Sequence, residues 1–454
     1  MPEWRRLSTS GLVFLMRLNR MRQLLVRVIL LGVVQGGLAG LSVAAPVVPT
    51  GAGGWKIDVD ILHATGYGDR YESYSKGHVH VDQRDRLWLP VSVYFPDDEA
   101  NTDAYQPLVT RIMLISDDKG LTWKTTDRKS PAPGHNRVTL ADGTLVELGS
   151  SGWIRYPRTQ IKRLQKQGYY VWDLGKNNDY CAIIYDLWQK TSTDSGKTWQ
   201  KRWIHKQLPF FAHFVARGPL RLLDDGTLIF LGYGYGKQGR KYNADPKSIM
   251  WENGRSHVYC VRSTDAGKTW KAVRAADGKL SLSEHGFSET FPIIDGDGRI
   301  FLMLRTGLGR PAFVVSSADG GQTWLKAKQT PIPAKHPLPL RLRDGTVVCS
   351  YQRRTAPPFG VRARFTSDLG KTWSKEIVLR DDVPISNALA EPNTVQFSDG
   401  TLFTAFQALK IDDRGRPRPF IGGCRWSPNF RRPYVVKLKI PKRTRKFNSK
   451  RANP

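Results

Sequence analysis

Five stretches of this chain repeat one eight-residue pattern, Ser/Thr-x-Asp-x-Gly-x-Thr-Trp. They are SDDKGLTW (116–123), STDSGKTW (192–199), STDAGKTW (263–270), SADGGQTW (317–324) and TSDLGKTW (366–373). Repetition at this density means that the fold is built from one supersecondary unit used many times. The pattern has a physical logic. The Asp and Ser/Thr side chains bond backbone amides in a tight turn, the Gly takes a positive φ, and the Trp packs into the layer beneath. These are staples, so their Asp residues are read as structural and not as catalytic acids.

A second repeat interleaves with the first. Asp142-Gly143, Asp225-Gly226, Asp297-Gly298, Asp344-Gly345 and Asp399-Gly400 stand between strand-like runs, and Asp85-Arg86 is a degenerate sixth copy. Asp-Gly between such runs is a hairpin signal. Each turn except the last is followed by a staple, and after the last "CRWSPNF" (424–430) stands where a decayed sixth staple would fall. The unit is therefore strand, Asp-Gly turn, strand, loop, strand, staple, strand. Six such units fill roughly Trp55 to Tyr434. The expected fold is all-β, a six-bladed β-propeller of four-stranded antiparallel blades. A hydrophobic content of 40% supports a core of that size. The longest insertion, near 151–180 in the second blade, is expected to form a lid or a crossing loop.

The ends differ from the middle. Arg17, Arg20, Arg22 and Arg27 precede an apolar run from Val28 to Val43 that ends in Ala44 and Ala45. Gly32, Gly36, Gly37 and Gly40 interrupt that run, which is short for a membrane span. Residues 1–45 read as a secretory signal peptide, 46–434 as the propeller and 435–454 as a basic C-terminal tail. An exported protein, periplasmic or extracellular, follows, with no stable membrane span once the signal is cleaved. The net charge is +30, and half of it lies in the ends, because residues 1–45 hold six bases and one acid and Arg431–Pro454 holds ten bases and no acid. A tail of this kind can hold a polyanion, but nucleic acid is not the expected partner, and a monomer is expected. Cys181, Cys260, Cys349 and Cys424 lie far apart without metal-type spacing, which leaves one or two disulfides or buried thiols open.

The innermost strand of each blade should line the axis. The residue eight places before each turn aspartate should then occupy one equivalent spot at its mouth. Those positions hold Gly77, Gly134, Arg217, Glu289, His336 and Glu391, and His78 and His135 directly follow the two glycines. Eight places after the turn aspartates stand Arg305, Gln352 and Gln407. Residues equally spaced from a hairpin turn face each other, so Glu289 and Arg305 should be neighbours. A ring of ionisable groups at repeat-equivalent positions is costly unless it is solvated or used. This face is read as a binding or catalytic site. His78, His80, His135 and His336 are read as polar lining rather than metal ligands, and no metal or other cofactor is expected.

With five Asp boxes and six-blade spacing over almost all of 55–434, the chain resembles the sialidase (neuraminidase) superfamily of BNR-repeat proteins. Glu289, the Asp-Gly-Arg turn and Arg305 match that family's spacing. The resemblance implies that Glu289 polarises a nucleophile, and that Arg305 and Arg364 belong to an arginine triad gripping the sugar's carboxylate. Two positions depart from the family. The first blade reads "SYSKGHVHVD" with no triad arginine, for which Lys76 or Arg217 could substitute. Glu391 stands where the family has its nucleophilic Tyr. The family's acid/base Asp maps to "FPDDEANTDAY" (95–105), where Asp103 is the choice. The implied function is an exported sialidase-like glycoside hydrolase acting on an anionic sugar, sialic or uronic, of extracellular glycans. Its catalytic residues would be Glu289, Glu391 and Asp103; Arg305, Arg364, Arg217, His78, His135 and His336 would bind substrate. The rival is a non-catalytic propeller that binds glycans or protein, for which Tyr233, Tyr235 or Trp153 would offer stacking surfaces.

Overall fold

The computed structural model describes residues 55–436 except 64–72, 96–107, 129–135, 151–152, 167–170, 174–178, 185–186, 205–206, 209, 217–219, 237–254, 282–285, 308–309, 334–335, 385–389, 412, 414, 416 and 430–434. The signal-like segment and most of the basic tail lie outside these residues. Within them the chain is a six-bladed propeller of antiparallel blades.

Blade one holds Ser73–Lys76 with His80–Val81, then Leu87–Phe95, Leu108–Ser116 and Lys124–Thr126. Blade two holds Arg137–Thr139, Leu145–Ser150, Leu187–Ser192 and Gln200–Trp203. Blade three holds Phe210–Ala216 with Arg221–Leu222, Leu228–Gly236, His257–Ser263 and Lys271–Ala276. Blade four holds Ser288–Ile294, Ile300–Arg305, Pro311–Ser317 and Lys328–Pro333. Blade five holds Leu338–Arg341, Val347–Arg353, Phe359–Thr366 and Ile377–Val383. Each Asp-Gly turn joins the first and second strands of its blade, as the repeat implies.

Blade six closes the ring. Its first three strands are Ala390–Gln396, Leu402–Ile411 and Pro417–Trp426, and its fourth is Lys56–His63 from the start of the propeller. Lys56 pairs with Trp426 and His63 with Phe420. The strand expected after "CRWSPNF" is thus supplied from the other end of the chain. Val435–Val436 adds a short parallel pair outside it. Buried charges lock this seam. Lys56 donates to Asp58 at 2.8 Å and to the Leu379 carbonyl of blade five at 2.8 Å. Arg380 holds Asp382 at 2.8 Å and lies 3.6 Å from Asp60.

The staples have the expected geometry. In the first, Asp118 Oδ1 accepts from the amides of Leu121 and Thr122 at 3.0 and 2.9 Å, and Gly120 N donates to Ser116 Oγ at 2.8 Å. Gly120 has φ +95°, and a Cβ there would meet Phe403 of blade six at 2.3 Å. The glycine is needed both for its backbone and for this close approach. The residue before it, Lys119, also takes a positive φ, as do Ser195, Ala266 and Leu369 in three other staples. Apolar clusters join successive blades. Leu87, Leu89 and Trp123 of blade one pack with Val395, Phe403 and Ala405 of blade six, and Phe291, Phe301 and Met303 of blade four pack with Val347, Cys349 and Tyr351 of blade five.

All four cysteines are free and buried, so the thiol alternative holds; burial pushes the Cys260 thiol up to about 12. The insertion in blade two builds a three-stranded sheet (Trp153–Pro157, Tyr180–Ile184, Val171–Asp173) and a helix, Ile161–Lys166. Leu164, Val171 and Cys181 form its own small core. Among the described residues no helix is long and apolar enough to cross a membrane.

Candidate active site

Three neighbouring blades place an unusual backbone at one repeat position. Glu289, His336 and Glu391 all have positive φ, at +45°, +44° and +27°. A left-handed conformation costs a non-glycine residue roughly 1–2 kcal/mol. Strain repeated at equivalent positions marks a place where side-chain direction matters. The cause is local. Ser288 pairs with Arg305 and Thr290 with Leu304, which leaves Glu289 as the extra residue of a β-bulge. In blade six the register slips between Ala390, opposite Gln407, and Asn393, opposite Ala405, with Glu391 inside the slip. In blade five His336 lies just ahead of the strand Leu338–Arg341. A bulge bends its strand and re-aims the extra side chain.

The re-aimed side chains converge. Arg305 Nη1 donates to Glu289 Oε2. The same carboxylate oxygen lies 2.9 Å from His336 Nε2, and Arg305 Nη1 is 3.2 Å from that nitrogen. Phe291 meets the His336 ring edge to face, 6.4 Å between centroids. Glu391 joins from blade six: donor atoms of Glu289, His336 and Glu391 all lie within 4.8 Å of one another. From blade one, His78 Nε2 reaches to 3.9 Å from Glu391 Oε2.

Polar stitches hold the blades beneath these groups. Asn393 Oδ1 accepts from Val79 N at 3.1 Å and its Nδ2 donates to Val79 O at 3.2 Å, tying blade six to blade one. Ser350 Oγ donates to Pro392 O at 2.9 Å, tying blade five to blade six. Glu289 is 8% exposed and His336 9% exposed, so the first carboxylate is held inside the site. The Glu391 side chain is more open, at 22%. Three side chains offering two carboxylates and an imidazole at this spacing could hold a cation, but the Arg305 guanidinium already supplies positive charge there.

Of the residues marked by sequence, Glu289, Arg305, His336, Glu391 and His78 therefore meet. Asp103, His135 and Arg217 lie outside the described residues. Arg364 makes its contacts elsewhere: Nε donates to Tyr351 Oη at 3.2 Å and Nη1 to the Ser374 carbonyl at 2.6 Å. Tyr351 in turn donates to Glu376 at 2.7 Å. Tyr233 is buried and offers no stacking face, and the side chains of Tyr235 and Trp153 are outside the described set. His80, on the short strand opposite Trp88, is part of blade one's sheet.

Arg354 was not marked by the repeat. It follows the strand Val347–Arg353, and its Nη1 lies 3.3 Å from Gln352 Oε1. Burial, then the charge of Arg305, pushes its pKa below the usual guanidinium range, while Glu289 opposes the shift. It thus belongs to the same electrostatic cluster. The available signal was the Arg353-Arg354 pair directly after the mirrored position Gln352.

Comparison with known proteins agrees with this architecture. The model of the BNR repeat-like domain family matches residues 169–336. A sialidase of Bacteroides fragilis (strain YCH46) is 25% identical over 273 residues, covering 54% of this chain and 48% of the relative. The match thus spans about half the length of that curated relative. A Dyadobacter fermentans DSM 18053 protein of unknown function superposes with a TM-score of 0.53 at 22% identity, over 82% of this chain and 97% of that one, and shares its fold. Trypanosoma rangeli sialidase in complex with the inhibitor DANA gives a TM-score of 0.43 at 14% identity, over 78% and 55% of the two chains. That superposition is too loose to transfer any residue. From the Asp-box repeats, the six blades and the matched domain, the chain is a sialidase-like BNR-repeat propeller.

Proposed function

We propose that the chain is an exported glycoside hydrolase that removes an anionic sugar, of sialic or uronic type, from extracellular glycans. The reading is carried by one observation: Glu289 and Glu391, on different blades, present carboxylate oxygens within 4.8 Å of each other. Glycoside hydrolysis works through paired carboxyl groups at the scissile bond, so a converging pair of this kind is what such a site requires.

The surroundings divide the roles. Glu289 is committed to Arg305 and His336, a setting that favours its charged form and makes it a poor proton donor. Glu391 is more open, with its side chain 22% exposed, and His78 Nε2 lies 3.9 Å from its Oε2. Glu391 is the better nucleophile. In the first half-reaction a Glu391 oxygen bonds to the anomeric carbon as the glycosidic oxygen leaves with a proton. Asp103, in the acidic segment 97–103, is the proposed donor of that proton. In the second, water attacks the glycosyl ester, gives its proton back to the same acid and frees Glu391. The Arg305–Glu289–His336 group stands beside the reacting centre, where its fixed charges can be preorganised for the transition state. His78 and His336 line the pocket in this reading, with His135 and Arg217 as further proposed contacts.

The test is turnover of a panel of 4-nitrophenyl glycosides by the full chain and by Glu391→Gln and Glu289→Gln. The panel comprises the N-acetylneuraminide, glucuronide, galacturonide and neutral sugars. Turnover of an acidic glycoside that falls at least a thousandfold in Glu391→Gln is expected. Equal turnover in that variant, or none in the wild type on any acidic or neutral glycoside, contradicts the reading and favours a propeller that only binds.

A further inference from the structure

We propose that the outer strands of blade two form a second binding site, a surface that holds the chain of an acidic polysaccharide away from the axial pocket. The choice of a glycan as its ligand rests on the reading of the axial site given above. The site itself rests on the residues of blade two alone.

Two cross-strand rows share one face of this blade. In the first, Arg137 pairs with Glu147, Glu147 with Lys190, and Lys190 with Lys201. Two residues further along the same strands, Gly149 pairs with Trp188 and Trp188 with Trp203. Alternate residues of a strand point to the same side, so the basic row and the indole row lie next to each other. The opposite face is already in use. Leu187 packs among Leu228 and Phe230 of blade three, and Gln189 Oε1 accepts from Trp270 Nε1 at 2.9 Å. The two rows therefore turn away from blade three, and Trp203 is 44% exposed.

The charges of this face do not balance. The first row has three bases and one acid, and that acid is engaged: Arg137 Nε donates to Glu147 Oε2 at 3.0 Å. Among the described residues no carboxylate pairs with Lys190 or Lys201, although the two stand directly opposite each other. Like charges in that position destabilise a strand pair. Both lysines lie over indoles instead. Lys190 Nζ is 4.9 Å from the centre of the Trp188 ring, and Lys201 Nζ is 5.4 Å from that of Trp188 and 4.3 Å from that of Trp203. Such contacts are weak at an exposed site, and they leave both positive charges in place. Gly149 prepares the platform, because a Cβ there would meet the Trp188 ring at 2.3 Å.

The ligand that uses both rows is narrowly defined. An indole offers a broad apolar surface, which suits the C–H face of a pyranose ring. Neighbouring ammonium groups take carboxylates in charge-assisted bonds. A neutral glycan would leave the lysine pair unrelieved, and a small anion would leave the indoles unused. The location fits a polymer that also reaches the axial pocket. Trp188 lies near the start of a third strand and Trp203 at the end of a fourth. In antiparallel blades that is the end of the propeller where Glu289 starts a first strand and Arg305 ends a second.

The experiment is isothermal titration of the full chain with polygalacturonate and polysialic acid, with neutral dextran and oligo-dT as comparisons. The wild type should bind at least one acidic polysaccharide at least tenfold more tightly than dextran. Trp203→Ala and Lys201→Gln should each weaken that polymer by about tenfold, and Trp203→Phe should retain most of the affinity. Trp203→Ala leaves every charge in place, so binding through the basic C-terminal tail alone would not change. Both positions are exposed, and thermal unfolding of each variant separates loss of fold from loss of affinity. Wild-type affinity in both variants overturns the proposal and moves polymer binding to the tail. Oligo-dT that binds more tightly than either polysaccharide, and depends on Trp203, overturns it in favour of a nucleic-acid surface. Polymer binding that needs Trp203 and Lys201, with no glycoside turned over, would sink the hydrolase reading and leave this site standing. Turnover together with polymer binding indifferent to both residues would do the reverse.

Discussion

Replacing Arg305 by Leu should cost the propeller about 2–3 kcal/mol, and replacing Glu289 by Gln at the same time should restore a good part of it. The magnitude follows from what Arg305 leaves behind. At about 3 Å and an effective dielectric near 20, a unit charge pair attracts by roughly 5 kcal/mol, before the cost of desolvating both ions. Stripping one partner from a buried pair typically costs about 3–5 kcal/mol, because the other charge stays buried and uncompensated. Glu289 keeps His336 as a neighbour at 2.9 Å, and the Arg305 side chain is 20% exposed and partly screened. Both facts move the value to about 2–3 kcal/mol, below that buried-pair range. Glu289→Gln removes the stranded charge, so the two substitutions should be strongly non-additive, with a coupling of about 1–3 kcal/mol. Urea unfolding of the wild type, both single variants and the double variant measures the cycle. If the double variant loses the sum of the two single losses, the contact carries no coupling, and the site has been built on the wrong pair.

Three further outcomes follow. Four staple acids, Asp194, Asp265, Asp319 and Asp368, are held down at about 2, Asp194 and Asp368 chiefly by the hydroxyls of Thr198 and Thr372. Their folded pKa is depressed, so their contribution is complete above the unfolded value near 3.9 and disappears as pH falls towards 2; circular dichroism should show an acid transition in that window, and a native signal persisting unchanged to pH 2 would refute it. Gly120→Ala should destabilise by at least about 1–2 kcal/mol for the left-handed backbone alone, and more because Phe403 must move, as read by urea unfolding; a neutral effect contradicts the packing. Arg364→Gln should lower stability by about 1 kcal/mol through its lost bonds to Tyr351 and Ser374, yet change KM for an acidic glycoside less than twofold; a tenfold rise in KM would place Arg364 in the sugar site after all.

The fold was legible because its signals are local. A staple needs only eight residues to satisfy its own turn, and the Asp-Gly hairpins need two, so both survive as sequence patterns. Blade closure is not local. Lys56–His63 carries no repeat, and its place beside Pro417–Trp426 is set by pairing across the whole ring, which no window of sequence contains. The candidate site was legible in outline: Glu289 and Arg305, each eight residues from one turn, do meet, although a bulge makes Ser288 the residue paired with Arg305. The bulges could not be read in the same way. A left-handed Glu or His has no compositional signature, since the surrounding blade imposes the conformation. Arg364 shows the opposite limit. Its distance from a staple fixes its strand, but Tyr351 and Glu376 determine where its guanidinium goes.

The role of Glu391 as nucleophile is tested most directly by the anomeric configuration of the first sugar released, followed by proton NMR during hydrolysis of whichever acidic aryl glycoside the full chain turns over. Glu391 acting as the nucleophile predicts double displacement, so the first-formed sugar should keep the configuration of the substrate and only later mutarotate. An inverted first product would mean that a water attacks directly, and Glu391 could not then be the nucleophile.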